Sequence, residues 1–114
     1  MKDYYVIIDG YNMIGQSPEL SRVAKENLEE AREQLLIEIA NYNAVIKGKI
    51  VCVFDAYEQG TPQSESVYHG VHVIFTKENE TADSFIERYV YNIYNKHTTH
   101  ITVVTSDMSC LLYT

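Results

Sequence analysis

Cysteine, proline, glycine and basic side chains are all scarce in this chain, and tryptophan is absent. The two cysteines, Cys52 and Cys110, are too few for a disulfide framework. Cys52 lies in an apolar, strand-like run, where a reduced and buried thiol is expected. With two prolines and five glycines in 114 residues, no segment is disordered by composition. No apolar run reaches the length of a membrane span, and the N-terminus has neither the basic region nor the cleavage site of a signal peptide. A cytoplasmic protein with no membrane partner is therefore expected. Only nine Lys and Arg stand against sixteen Asp and Glu, a formal net charge of −7. That balance excludes a domain that grips a phosphate backbone through basic residues alone. Action on RNA stays open where divalent cations sit between carboxylates and phosphate. Binding to naked RNA would then be weak, and help from a partner is expected. No Gly-rich phosphate loop, Ser-His-Asp arrangement or Cys-rich zinc pattern occurs.

What is present fits one domain over residues 1–114, large enough to bury a core without staples. Tyr4 to Ile8 is β-branched and aromatic and breaks at Asp9-Gly10, which predicts a first strand. Ser17 to Leu20, with Pro18, reads as a loop or a short helical turn. Leu28, Ala31, Leu35, Leu36 and Ile39 recur at helical spacing and predict an amphipathic helix over about Asn27 to Asn43, with Gly48 as a plausible terminator. Ile50 to Phe54 is continuously apolar, as a strand covered on both faces should be. Tyr57 to Gly70 is polar and reads as a mobile loop. Val71, Val73 and Phe75 alternate with less apolar neighbours, which suggests a strand nearer the sheet edge. Ala82, Phe85, Ile86, Tyr89, Val90 and Ile93 define a second helix, with Asn79 or Thr81 as cap. Ile101 to Val104 is the last predicted strand. The order β-α-β-β-α-β points to an α/β fold.

Four acidic stretches fall where such a fold gathers them on one rim: Asp9-Gly10-Tyr11-Asn12, Phe54-Asp55, Glu80-Thr81-Ala82-Asp83 and Ser106-Asp107. Ligands bind beyond the carboxyl ends of the strands in open α/β sheets. Hard cations such as Mg²⁺ and Mn²⁺ prefer carboxylate oxygens, so three or four Asp and Glu make a suitable cage. Asn12 is placed to orient a water or a phosphate oxygen. Tyr11 and Tyr57, close behind site aspartates, are candidates to stack on an RNA base. Plainer explanations compete at each position. Asp9-Gly10 resembles a hairpin turn, although no returning strand follows. Asp55 could open an Asx turn, Asp107 could cap a helix, and Glu80 and Asp83 could serve the helix dipole. His97 and His100 have i, i+3 spacing but span a helix end and a strand start, and His69 and His72 are expected to be solvent-exposed.

Ile8-Asp9-Gly10-Tyr11-Asn12-Met13-Ile14, Val53-Phe54-Asp55-Ala56, Glu78-Asn79-Glu80-Thr81-Ala82-Asp83 and Val104-Thr105-Ser106-Asp107 together resemble the YacP-type NYN domain, a branch of the PIN-like nucleases. The resemblance runs from Tyr4 to Asp107 in the family's order. It implies a PIN-like three-layer α/β/α sandwich with a mainly parallel sheet, divalent-metal-dependent cleavage of single-stranded RNA, and association with the ribosome. It also implies Asp9, Asp83 and Asp107 as the metal cage, with Asn12, Asp55 and Glu80 in support. Family members continue past the Thr-Ser-Asp segment, whereas this chain stops at Thr114, so its C-terminal elements are expected to be lacking. An open edge at Ile101 to Val104 and self-association through Ile101 to Tyr113 are the corresponding expectations.

Two functional classes remain open on these residues. One is a metal-dependent endoribonuclease; the other is a catalytically incomplete RNA- or ribosome-binding module. An aspartyl-nucleophile phosphatase wants a second Asp two residues after the first, and position 11 is Tyr. A receiver domain wants a Lys after its last strand, and none is there.

Overall fold

The computed structural model describes residues 3–43, 48–56, 62–96, 99–104 and 111–113. They form β1 (Asp3–Asp9), α1 (Gly10–Gln16), α2 (Pro18–Glu26), α3 (Leu28–Asn43), β2 (Lys49–Phe54), β3 (Ser64–Tyr68), β4 (Val71–Phe75), α4 (Ala82–Lys96), β5 (Thr99–Val104) and β6 (Leu111–Tyr113). The six strands make one sheet in the order β3-β4-β2-β1-β5-β6. β4, β2, β1 and β5 run parallel, while β3 and β6 are antiparallel additions at the two edges.

Alternation along the strands divides the core between two faces, since successive side chains point to opposite sides of a sheet. Ile8, Ile50, Cys52, Phe54, Val71 and Val73 pack with Ile14, Leu20, Ala31, Leu35, Leu36 and Ile39 of α1 to α3. Ile7, Val51, Val53, Ile74, Ile101 and Val103 pack with Ala82, Phe85, Ile86 and Ile93 of α4. The result is a three-layer α/β/α sandwich with a mainly parallel sheet. Every residue from Ile50 to Phe54 is buried, which is why β2 reads as an unbroken apolar run. The Cys52 thiol is free and fully buried. Among the described residues, no helix is long and apolar enough to cross a membrane.

Several elements differ from the sequence expectation. The stretch read as a loop, Tyr57 to Gly70, contains β3, whose polar sequence Ser-Glu-Ser-Val-Tyr fits an edge strand exposed along most of its length. Its turn is two residues long, because Tyr68 pairs with Val71. His69 (φ 49°) and Gly70 (φ 87°) both lie in the left-handed region, as a hairpin turn that matches the strand twist requires. β4 consequently lies one strand in from the edge, between β3 and β2, near the sheet edge as its alternation suggests. The Ser17 to Leu20 segment opens a full helix, α2, with Ser17 as N-cap accepting from the Leu20 N–H at 3.2 Å and Pro18 in its first turn. Finally, β5 is not an open edge: Ile101, Thr102 and Val103 pair with Tyr113, Leu112 and Leu111 of β6.

Of the four histidines, His72 is half-buried, not solvent-exposed, and its Nδ1 lies 3.4 Å from Glu65 Oε2 across the hairpin, without hydrogen-bond geometry.

Candidate active site

Strand order reverses at β1: the chain moves from β1 to β2 on one side and later returns to β5 on the other. The crevice beyond the carboxyl ends of the strands at such a point is the ligand position of open α/β sheets. A cleft of about 530 Å³ lies there, lined by Asp9, Tyr11, Asn12, Gly15, Gln16, Asp55, Thr81, Ala82 and Asp83.

Asp9 is the last residue of β1 and the N-cap of α1, and it is 5 % exposed. Its Oδ1 accepts from the Asn12 backbone N–H at 3.4 Å and its Oδ2 from the Asn12 side-chain amide at 3.3 Å. The sharp strand-to-helix change at Asp9-Gly10 is therefore a capped helix start and not a hairpin. Gly10 is needed there for space: a Cβ at this position would collide with the buried Phe54 ring. Burial pushes the Asp9 carboxyl above its ordinary value of 3.8; the bonds from Asn12 act the other way, and the charges of Asp83 and Asp55 add to the rise. Asp9 thus senses both other acids electrostatically.

Asp55 follows β2 directly and is half-buried; Asp83 lies in the first turn of α4 and is exposed toward the cleft. The α4 start is capped by Thr81, whose hydroxyl accepts from the Ser84 N–H at 3.1 Å. Glu80 does not line the cleft. Arg88 Nη2 holds both of its carboxylate oxygens, at 2.9 and 3.2 Å. Tyr11 lines the cleft with its ring tilted against Phe54 (centroids 5.0 Å apart), and its hydroxyl accepts from Arg32 Nη1 at 3.1 Å. Asp107, Tyr57 and Cys110 lie outside the described residues, as do His97 and residues 58–61.

Two participants were not singled out from the sequence. Arg32 on α3 braces Tyr11 and sits over the Phe75 ring, 5.4 Å from its centroid. Thr76, just after β4 and 1 % exposed, accepts from the Ala56 N–H at 2.8 Å and donates to the Glu80 carbonyl at 2.7 Å. Its signal was available: it is a polar residue closing an apolar strand, as Asp9 and Asp55 are.

The donor chemistry is that of a hard cation. Among the described residues, no three His, Cys, Asp or Glu side chains stand close enough together to hold a metal ion. Asp9, Asp55 and Asp83 therefore do not form a closed cage by themselves. Mg²⁺ is commonly held through one or two carboxylates while keeping several waters, so the oxygen donors present fit an ion of that kind.

The three-layer sandwich with an acidic cleft at its switch point has the NYN/PIN-like fold. The sequence profile of the YacP-like NYN domain matches residues 6–113, and the chain belongs to that family, whose members are generally nucleases. It is 41% identical over 102 residues to the uncharacterized protein YacP of Bacillus subtilis (strain 168), covering 90% of this chain and 59% of the relative. Two crystal structures of Rae1 (YacP) from Bacillus subtilis share the fold. A mutant form has a TM-score of 0.75 at 40% identity, over 94% of this chain and 60% of that one. A second structure has a TM-score of 0.74 at 38% identity, over 96% and 61%. The chain thus spans about three-fifths of the length of these relatives.

Proposed function

We propose that this chain is the nuclease domain of a divalent-metal-dependent endoribonuclease acting on single-stranded RNA in the cytoplasm, on mRNA at the ribosome. The observation that carries the reading is the convergence of Asp9, Asp55 and Asp83, from three separate elements, on one cleft at the sheet's switch point. Asp9, Asp83 and Asp107 are the residues assigned to hold Mg²⁺ or Mn²⁺. Bound there, the ion would supply an activated water and neutralise phosphate charge. Asn12 fixes the Asp9 carboxylate through two hydrogen bonds. Tyr11, braced by Arg32, offers a ring at the cleft wall on which a base can stack. Asp55 adds negative charge on the β2 side, and Glu80, held by Arg88, supports the α4 start from outside the cleft. In-line attack of water on phosphorus, breaking the P–O3′ bond, leaves 5′-phosphate and 3′-hydroxyl ends.

The ribosome enters through the family resemblance and through charge. A domain of net charge −7 has little affinity for naked RNA of its own, and a ribosome-bound substrate removes that difficulty. Self-association through Ile101 to Tyr113 is not part of the proposal, because pairing with β6 removes the open β5 edge that motivated it.

A second reading, an RNA- or ribosome-binding module with an incomplete site, draws on the lack of a three-ligand cluster among the described residues. End-labelled single-stranded RNA incubated with the protein and Mn²⁺ separates the two. The nuclease reading expects endonucleolytic products that disappear with EDTA and in Asp9→Asn. RNA binding without cleavage, unchanged by Mn²⁺, would favour the binding module.

A further inference from the structure

Asp55 and Asp83 both line the cleft, yet they belong to segments with no direct connection: the exit of β2 and the first turn of α4. Something must set their spacing, and among the described residues the Thr76 side chain hydrogen-bonds to both segments. Thr76 leaves β4 beside the end of β2, where its backbone N–H donates to the Phe54 carbonyl at 3.0 Å. Its hydroxyl then makes two further bonds. It accepts from the N–H of Ala56, the residue next to Asp55, at 2.8 Å, and donates to the carbonyl of Glu80, at 2.7 Å. The Glu80 N–H in turn closes a turn onto the Lys77 carbonyl at 3.1 Å, with Asn79 in the left-handed region at φ 65°. Thr81 follows as the cap of α4 and sets the first turn that carries Asp83.

A hydroxyl can donate once and accept at the same time. Here both capacities are used, on two different segments, at a position 1 % exposed. A buried polar side chain is costly unless it is hydrogen-bonded, and valine would fill the same volume without polar atoms. The hydroxyl is therefore explained by what it joins.

We propose that Thr76 is a positioning residue, whose hydroxyl clamps the Asp55 segment to the α4 start and so fixes the distance between the two acidic walls of the cleft. This rests on the nuclease reading for its purpose, though the clamp itself is a statement about the metal-free protein. Removing the clamp leaves every cleft side chain in place but frees one wall to shift against the other.

The test compares Thr76→Val with Thr76→Ser in the full chain, by amide hydrogen exchange, amide resonance positions and Mn²⁺ titration. Loss of one net hydrogen bond corresponds to about a tenfold change in an equilibrium constant. Thr76→Val is thus expected to exchange the Ala56 amide about tenfold faster, to move the Asp55 and Asp83 amide resonances, and to bind Mn²⁺ about tenfold more weakly. Thr76→Ser, which keeps the oxygen, is expected to behave as wild type in all three. If Thr76→Val does not fold, Thr76→Ser against Thr76→Ala isolates the oxygen instead. The proposal is overturned if the hydroxyl-free variant leaves Ala56 exchange and the Asp55 and Asp83 resonances unchanged. It is equally overturned if Thr76→Ser is as impaired as Thr76→Val, since the methyl group would then be what matters. If the wild type neither binds Mn²⁺ nor cleaves RNA, the nuclease reading fails, and the two metal-free measurements still decide the clamp.

Discussion

Replacing Gly10 by alanine sets two effects of opposite sign against each other at the residue joining Asp9 to the cleft helix. Gly10 is helical, and alanine in a helix interior is favoured over glycine by about 1 kcal/mol, with less to gain at a first position. On propensity alone the variant should be more stable. The space is the difficulty. The new methyl would run into the Phe54 ring, and that ring has nowhere to go: it is fully buried, tilted against Tyr11 at 5.0 Å and stacked on Phe75 at 5.4 Å. Forcing an extra methyl into a filled core costs roughly 1–3 kcal/mol. The steric cost outweighs the propensity gain, leaving a net loss of about 1 kcal/mol. In a domain of this size that lowers the melting temperature by about 4 °C. Gly15 supplies the control, because it is helical and exposed and a Cβ there meets nothing within 4 Å. Gly15→Ala should hold or raise the melting temperature while Gly10→Ala lowers it, both followed by circular dichroism. A Gly10→Ala protein that melts at or above wild type would refute the packing argument.

Asp9→Asn should abolish RNA cleavage yet raise the melting temperature of the metal-free protein at neutral pH. The sign follows from the raised folded-state carboxyl: protonation favours the folded form, so Asp9 does no harm below its ordinary value of 3.8 and costs stability as pH climbs through the folded value. Melting curves from acid to neutral pH should show a decline in wild type that is reduced in Asp9→Asn; parallel curves would contradict it. Arg88→Ala leaves the poorly exposed Glu80 carboxylate without its partner (Glu80 side chain 12% exposed, Arg88 51%). A loss of about 1 kcal/mol in urea unfolding is expected for such a half-exposed pair, and no loss would mean water replaces the guanidinium fully.

The layers of the fold were legible because their signals are strong and local. Ile50 to Phe54 is apolar without a break since both faces of β2 are covered, and Leu28 to Ile39 carries one apolar stripe since one face of α3 is buried. β3 was not legible from its residues: Ser64, Glu65 and Ser66 are exposed at an edge, and pairing with β4, not side-chain burial, makes them a strand. The local cue there, Gly70 in the hairpin turn, was not read as one. α2 was masked by Pro18, which breaks a helix interior but is at home in a first turn. The aspartates announced themselves by ending apolar runs, while Thr76 and Arg32 join the cleft's surroundings through bonds to residues 20 or more positions away. Such bonds leave no periodicity to read.

Paramagnetic broadening by Mn²⁺, followed in the amide spectrum of the metal-free protein, tests the central claim most directly. A single binding event centred on the cleft should broaden Asp9, Asn12 and Asp83 first, with Asp55 and Tyr11 close behind, and Asp9→Asn should remove it. Uniform weak broadening over the acidic surface, or a centre away from Asp9 and Asp83, would contradict the assignment of this cleft as a metal-dependent nuclease site.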